Sequence, residues 1–163
     1  MEPPPAGPIA AAVDVLGDRW SLLILRDVVF SDRRYFRVLL TGSVEGIASN
    51  ILADRLVRLV DAGILTRGTA ARGQRARYSL TEAGIQTLPV ICALGDWGLR
   101  WRPGSAGLRA RQRFIRDAGP SFIEELMDEL RVRHLGASPR PRDDPGPFER
   151  LDVACAAAAE SSD

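Results

Sequence analysis

The chain has 163 residues, 45% of them hydrophobic and 26% charged, with a formal net charge of +1. That size holds one cored domain with a smaller appendage, and the balance of apolar to charged residues excludes a disordered or membrane-embedded chain. The longest apolar runs, "LLIL" from Leu22 and "VACAAAA" from Val153, fall far short of the roughly 20 residues a bilayer crossing needs, and "MEPPPAG" lacks a basic start followed by an apolar run, so a cytoplasmic location without membrane attachment is expected.

The opening "EPPPAGP" is a stiff lead that refuses helix, because proline lacks the backbone N–H. Ile9, Val13 and Leu16 then recur at helical spacing up to Gly17 and predict a short first helix. Asp18 is an N-cap candidate for a second helix, "WSLLILRDVVF", whose apolar residues nearly encircle it and place it at the centre of a small domain. "SDRR" breaks the pattern, and Tyr35 to Leu40 predicts a third helix with Phe36, Leu39 and Leu40 inward. After the turn "TGSVEG", a fourth helix is expected from Ser49 to Ala62, with Leu52, Leu56, Leu59 and Val60 on one stripe and Gly63 as its C-terminal stop.

Two strand-like pieces follow, Ile64–Gly68 and Ala76–Leu80, joined by a polar link that carries arginines and a glycine. Thr81 caps a helix expected to run to Trp101 with a kink at Pro89, and Leu108–Leu135 reads as one or two helices broken at "AGP". The fold expected is mainly α with a small β-hairpin: a winged helix-turn-helix with dimerisation helices and a helical C-terminal extension. Residues 1–102 form the DNA-binding and dimerisation domain in this reading, 103–138 the extension, and 139–163 a flexible tail.

That order of elements suits nucleic acid, because a helix-turn-helix presents the N-terminal half of its second helix to base edges in the major groove. The outward positions of the fourth helix include Ser49, Asn50, Ala53, Asp54 and Arg58. Asparagine can contact adenine through two bonds, and a small side chain leaves room for a thymine methyl; Asp54 needs a cytosine donor or an arginine such as Arg58. Residues 18–101 carry 12 arginines against 8 acids, a surplus of 4 that the rest of the chain lacks. Arg72, Arg75 and Arg77 surround Gly73 at the wing tip, and Arg33, Arg34 and Arg37 form a second basic group before and within the third helix. Both groups suit the sugar–phosphate backbone, while capping or surface ion pairing would equally account for any one of them. All 22 basic residues are arginine, which fits guanidinium's match to phosphate and guanine as well as a GC-rich coding sequence.

The blocks Asp14–Leu40 and Gly46–Leu65, and "RYSLTEAG" with the helix ending "WGLRW", resemble the HxlR-type winged helix-turn-helix transcriptional regulators, relatives of the MarR-like group. The resemblance covers Pro8 to Trp101. It implies a homodimeric, cytoplasmic, DNA-binding regulator, read here as a repressor, whose two reading helices enter successive major grooves of a near-palindromic operator. It places Asn50, Ala53 and Asp54 on the reading helix, Arg55 in a recurrent "RL" element, and Arg33 and Arg34 in a paired-basic element. Two departures stand out. Gly7 occupies the place where members that sense oxidants carry a cysteine before a proline, so a switch of that kind is not expected. The usual serine cap falls at Ala48, so either Ser49 caps or the reading helix begins a residue late.

The helix ending at Trp101 shows Leu88, Cys92, Gly95 and Leu99 on one side and Ile91, Leu94, Trp97 and Trp101 on another, more apolar surface than a single contact can hide. A second subunit is expected to cover it, together with Ile9, Val13 and Leu16 of the first helix. Cys92 reads as a small buried hydrophobe, and "FIEELMDEL" as an amphipathic helix that packs on the dimerisation helices in the favoured reading, with a swap onto the partner subunit or a roof over a small-molecule pocket as the alternatives. No metal, cofactor or catalytic set is expected: there is no phosphate loop or nucleophile elbow, and His134 is the only histidine. The partners expected are double-stranded DNA and a second copy, with a small-molecule effector left open. The rival reading is a winged helix used as a protein-interaction module.

Overall fold

The computed structural model describes residues 6–161; of the stiff lead expected over Glu2–Pro8, residues 2–5 lie outside the described residues, and Pro8 opens a helix at its first position, where a proline fits. The chain forms two compact units, Met1–Gly84 and Ile85–Asp163.

The first unit runs α1 (Pro8–Leu16), α2 (Arg19–Ser31), α3 (Phe36–Gly42), α4 (Ser49–Asp61), β1 (Leu65–Arg67) and β2 (Tyr78–Leu80), and the short α5 (Glu82–Ile85) spans the boundary between the units. Asp18 starts α2 as expected, its Oδ1 accepting the amides of Trp20 and Ser21 at 3.0 Å each. Ile24, Leu25, Val28 and Val29 make α2 the central pillar, and Leu39, Leu52, Leu56 and Leu59 from α3 and α4 are buried with them. Gly63 ends α4 at φ +71, with its N–H on the Val60 carbonyl and the Ile64 N–H on that of Leu59, a pairing a left-handed glycine allows. The strands pair antiparallel with Leu65 opposite Leu80 and Arg67 opposite Tyr78. Thr81 Oγ1 accepts the Gly84 amide and donates to the Gly63 carbonyl, tying the end of β2 to the end of α4.

The second unit holds α6 (Leu88–Trp101), α7 (Ala106–Ala118), α8 (Pro120–Leu135) and α9 (Pro147–Glu160). The helix expected from Thr81 to Trp101 is therefore two helices. Pro89 does not kink an interior; it sits in the first turn of α6, where its missing N–H leaves no bond unmade. The break at "AGP" is also real, with Gly119 at φ +81 between α7 and α8. The segment read as a tail from 139 contains α9, whose Phe148 and Leu151 are buried. Its alanines let α9 lie close along α7, and Arg133 of α8 stacks on the Phe148 ring at 4.5 Å. The Pro- and Gly-rich stretch before Pro147 hid this helix, which proline itself begins. The amphipathic segment in α8 buries Phe122, Leu126, Met127 and Leu130 among α6, α7 and α9.

Candidate nucleic-acid interface

Helix α4, expected to read bases, begins at Ser49, and Ala48 is its N-cap without a side-chain hydrogen bond. Ser49 therefore does not cap, and the outward register of α4 is settled from its first residue. Ser49, Asn50, Ala53, Asp54, Val57 and Arg58 are all exposed, while Leu52, Leu56 and Leu59 face inward. The outer face thus pairs an amide, a methyl and a hydroxyl near the helix start with one cation and one anion further along.

Asp54 is not held by Arg58. Arg55 reaches it instead and also donates Nε to Asp18 Oδ1 at 2.8 Å. Arg55 thus anchors α4 to the capped start of α2 from a partly exposed position. Burial works against the Asp18 charge, but hydrogen bonds from Ser21 and Arg55 outweigh it and lower its pKa to about 2.

The turn before α4 is braced from α2. Arg26 grips Glu45 through both terminal nitrogens, at 2.6 and 2.8 Å, and its Nε bonds Asp27 at 2.9 Å. Asp27, 6% exposed, also accepts from Arg33, whose guanidinium donates to the Gly42 carbonyl as well. Arg26 in turn holds the Glu45 carboxyl below the usual carboxylate range. Sequence reasoning missed this network. An arginine and two acids facing a helix-turn are ordinary in a sequence; only the fold shows that they meet.

The second basic group divides. Arg33 is half-buried in the α2 network, and Arg34 is 3% exposed, its Nε on the Tyr78 carbonyl at 3.0 Å and a terminal nitrogen on Ser79 Oγ. Burial and then the Arg77 charge lower the pKa of Arg34 from its ordinary value. Arg34 is thereby withdrawn from the surface where a phosphate would sit, against the expectation, because the wing uses its donors first, whereas Arg33 keeps part of its side chain exposed. Arg37 on α3 is exposed. At the wing, Arg67, Arg72, Arg75 and Arg77 are exposed around a turn closed by the Gln74 amide on the Ala71 carbonyl, with Gly73 at φ +84. Arg67 was not singled out in the sequence, although its place at the end of β1 made it legible.

In the second unit, α6 divides its apolar residues between two fates. Leu88, Cys92 and Leu99 are buried in the monomer, at 0%, 4% and 8% exposed, so these three do not wait for a partner. Ile91 and Gly95 are half-buried. Gln112 of α7 bonds the Cys92 carbonyl at 3.0 Å and lies over Gly95, where a Cβ would come within 2.2 Å of its Oε1. Arg109 of α7 caps the carbonyls of Leu99 and Arg102 at 2.9 and 2.8 Å. The extension covers this face of α6 in the same chain. Val90, Leu94, Trp97 and Trp101 stay 47–68% exposed, and Ile9 and Val13 of α1 are exposed too, at 80% and 57%, whereas Leu16 is half-buried. Burial pushes the Cys92 thiol up to about 11 and raises that of Cys155, in each case against the nearby Arg111 charge.

These elements define a winged helix-turn-helix whose helix α4 keeps its outer face exposed. Residues 15–106 match the HxlR-like helix-turn-helix family, and the chain belongs to it. The HTH-type transcriptional regulator Rv3095 of Mycobacterium tuberculosis, itself uncharacterised, is 34% identical over 138 residues, 82% of this chain and 85% of that protein. The regulator sll1512 of Synechocystis is 34% identical over 95 residues, 58% and 69% of the two chains. Among solved structures, PA1607, described as a candidate transcription factor, superposes with a TM-score of 0.55 at 35% identity over 61% of this chain and 68% of that one. A MarR-family regulator from Porphyromonas gingivalis shares the fold, at a TM-score of 0.51 and 24% identity over 62% and 98%. No helix among the described residues is long and apolar enough to cross a membrane.

Proposed function

We propose that this helix-turn-helix regulator binds duplex DNA in the cytoplasm as a homodimer on a near-palindromic operator and represses transcription there. The observation that carries the reading is the outer face of α4, wholly exposed from Ser49 to Arg58, with the basic wing tip following it in the same unit. In this reading Asn50 contacts base edges and Ala53 admits close approach to them, while Arg37, Arg58, Arg72, Arg75 and Arg77 neutralise phosphates. Arg55, Arg33 and Arg34 hold the reading elements in place, and Asp54, paired to Arg55, does not face the groove uncompensated.

Dimerisation rests on the apolar side chains that the monomer leaves in water. Val90, Leu94, Trp97 and Trp101 recur every three to four residues along α6, a seam suited to a second helix. Ile9 and Val13 of α1 are of the same kind. Two protomers then address half-sites about one helical turn apart, and a dimer seated there blocks other proteins from the same DNA.

The test is binding of the purified protein to the duplex upstream of its own gene, measured by fluorescence anisotropy over a range of salt. Asn50→Ala is expected to relax preference at one position per half-site by about 1–3 kcal/mol, whereas Arg75→Ala weakens cognate and random duplexes alike. Equal effects of the two changes on both duplexes overturn the roles. Binding insensitive to salt, or absent from every duplex, favours a protein-interaction module.

A further inference from the structure

Arg34 was expected at the phosphates, yet its guanidinium lies inside the first unit against the wing. Resting on the DNA-binding reading above, we propose that Arg34 is a positioning residue that latches β2 to the α2–α3 connection and so fixes where Arg72 and Arg75 meet the backbone of the duplex.

The wing needs such a latch. Its ladder is three residue pairs long, and a two-stranded ribbon of that size is marginal by itself. One end hangs from α4 through the Gly63 turn. The other is held by residues 34 and 35: the Tyr78 N–H donates to the Arg34 carbonyl at 2.8 Å, and Tyr35 forms an antiparallel bridge with Arg77. The Arg34 side chain returns to the same residue, donating Nε to the Tyr78 carbonyl, and extends one position further to Ser79 Oγ. Main chain and side chain together thus clamp β2 along its free edge. A planar guanidinium serves two acceptors at fixed angle, which an aliphatic side chain of the same length cannot do. A cation withdrawn from water persists only where its donors are met, so the latch is specific in direction as well as place. The wing tip then leaves the base of the hairpin along a set line, and the arginines at Arg72 and Arg75 inherit that line.

The experiment uses the full chain in two arms. In the free protein, amide hydrogen exchange of Arg34→Met is expected to accelerate at least about tenfold for the β1–β2 amides while those of the α2 and α4 interiors keep their protection. Ser79→Ala, which removes one acceptor and leaves the charge in place, gives the same pattern at smaller amplitude and serves if Arg34→Met fails to fold. In the second arm, Arg75→Ala lowers the steepness of affinity against log salt by about one in the wild-type background. In the Arg34→Met background, or in the Ser79→Ala background if that is the one that folds, the same change is expected to lower it by less than half as much. Unchanged exchange at β1–β2, or an Arg75→Ala effect of equal size in both backgrounds, overturns the latch. An Arg75→Ala change without effect in the wild type overturns the DNA-contact reading itself, and the latch's role in binding with it.

Discussion

Asp18 joins two jobs, capping α2 and anchoring Arg55 of α4, and its removal can be costed from both sides. An N-cap is worth about 1 kcal/mol, and a charge-assisted bond to an arginine that stays partly exposed adds about 1 more. The titration gives a second route. A carboxyl pKa lowered from its ordinary 3.8 to about 2 corresponds to about 2.4 kcal/mol at ~1.36 kcal/mol per pH unit. With the Asp18 side chain 30% exposed, solvent screening brings this to about 1–2 kcal/mol. Both routes converge on a cost of about 2 kcal/mol for Asp18→Ala at pH 7. Asp18→Asn keeps a capping oxygen but not the charge, and is expected to cost about 1 kcal/mol.

The sign follows from the depressed pKa. Its stabilisation is complete above the unfolded value of 3.8 and is lost as pH falls through about 2, with roughly half of it gone by pH 3. Urea unfolding followed by circular dichroism, on wild type and both variants at pH 7, 5, 4 and 3, measures the gaps. A gap between wild type and Asp18→Ala that stays constant down to pH 3 refutes the ionic part. Equal losses for Asn and Ala at pH 7 refute the capping part.

Leu94→Arg, placed in the exposed α6 seam, is expected to shift the protein from dimer to monomer in sedimentation at micromolar concentration without lowering its helix content. Cys92, with its thiol raised to about 11, is expected to carry about one thiolate per thousand at pH 8 and to react with iodoacetamide more than about 100-fold slower than free cysteine, as mass spectrometry of the labelled peptide would read. Leu126→Ala, at a fully buried site on α8, is expected to cost about 2–5 kcal/mol in denaturant unfolding; a loss under about 1 kcal/mol would show that the extension is not a packed core.

Local periodicity and capping chemistry made most of the first unit legible in the sequence. The stripe of Leu52, Leu56 and Leu59, the Asp18 and Thr81 caps and the Gly63 stop each act within a few residues, so a linear reading can find them. The outward face of α4 followed from the same stripe. Tertiary structure alone decided how the arginines are shared. Arg33, Arg34 and Arg55 looked like surface cations, but partners 6 to 45 positions away claim their donors, and no spacing rule encodes such meetings. The fate of α6 was settled the same way. Its sequence says that two faces are apolar, but whether α7 or another subunit covers Cys92 and Gly95 depends on where Gln112 lands. The sequence thus determined which residues avoid water, since that is a property of each side chain. Which neighbour shelters them, and which charges stay free for a ligand, arose only when distant segments came together.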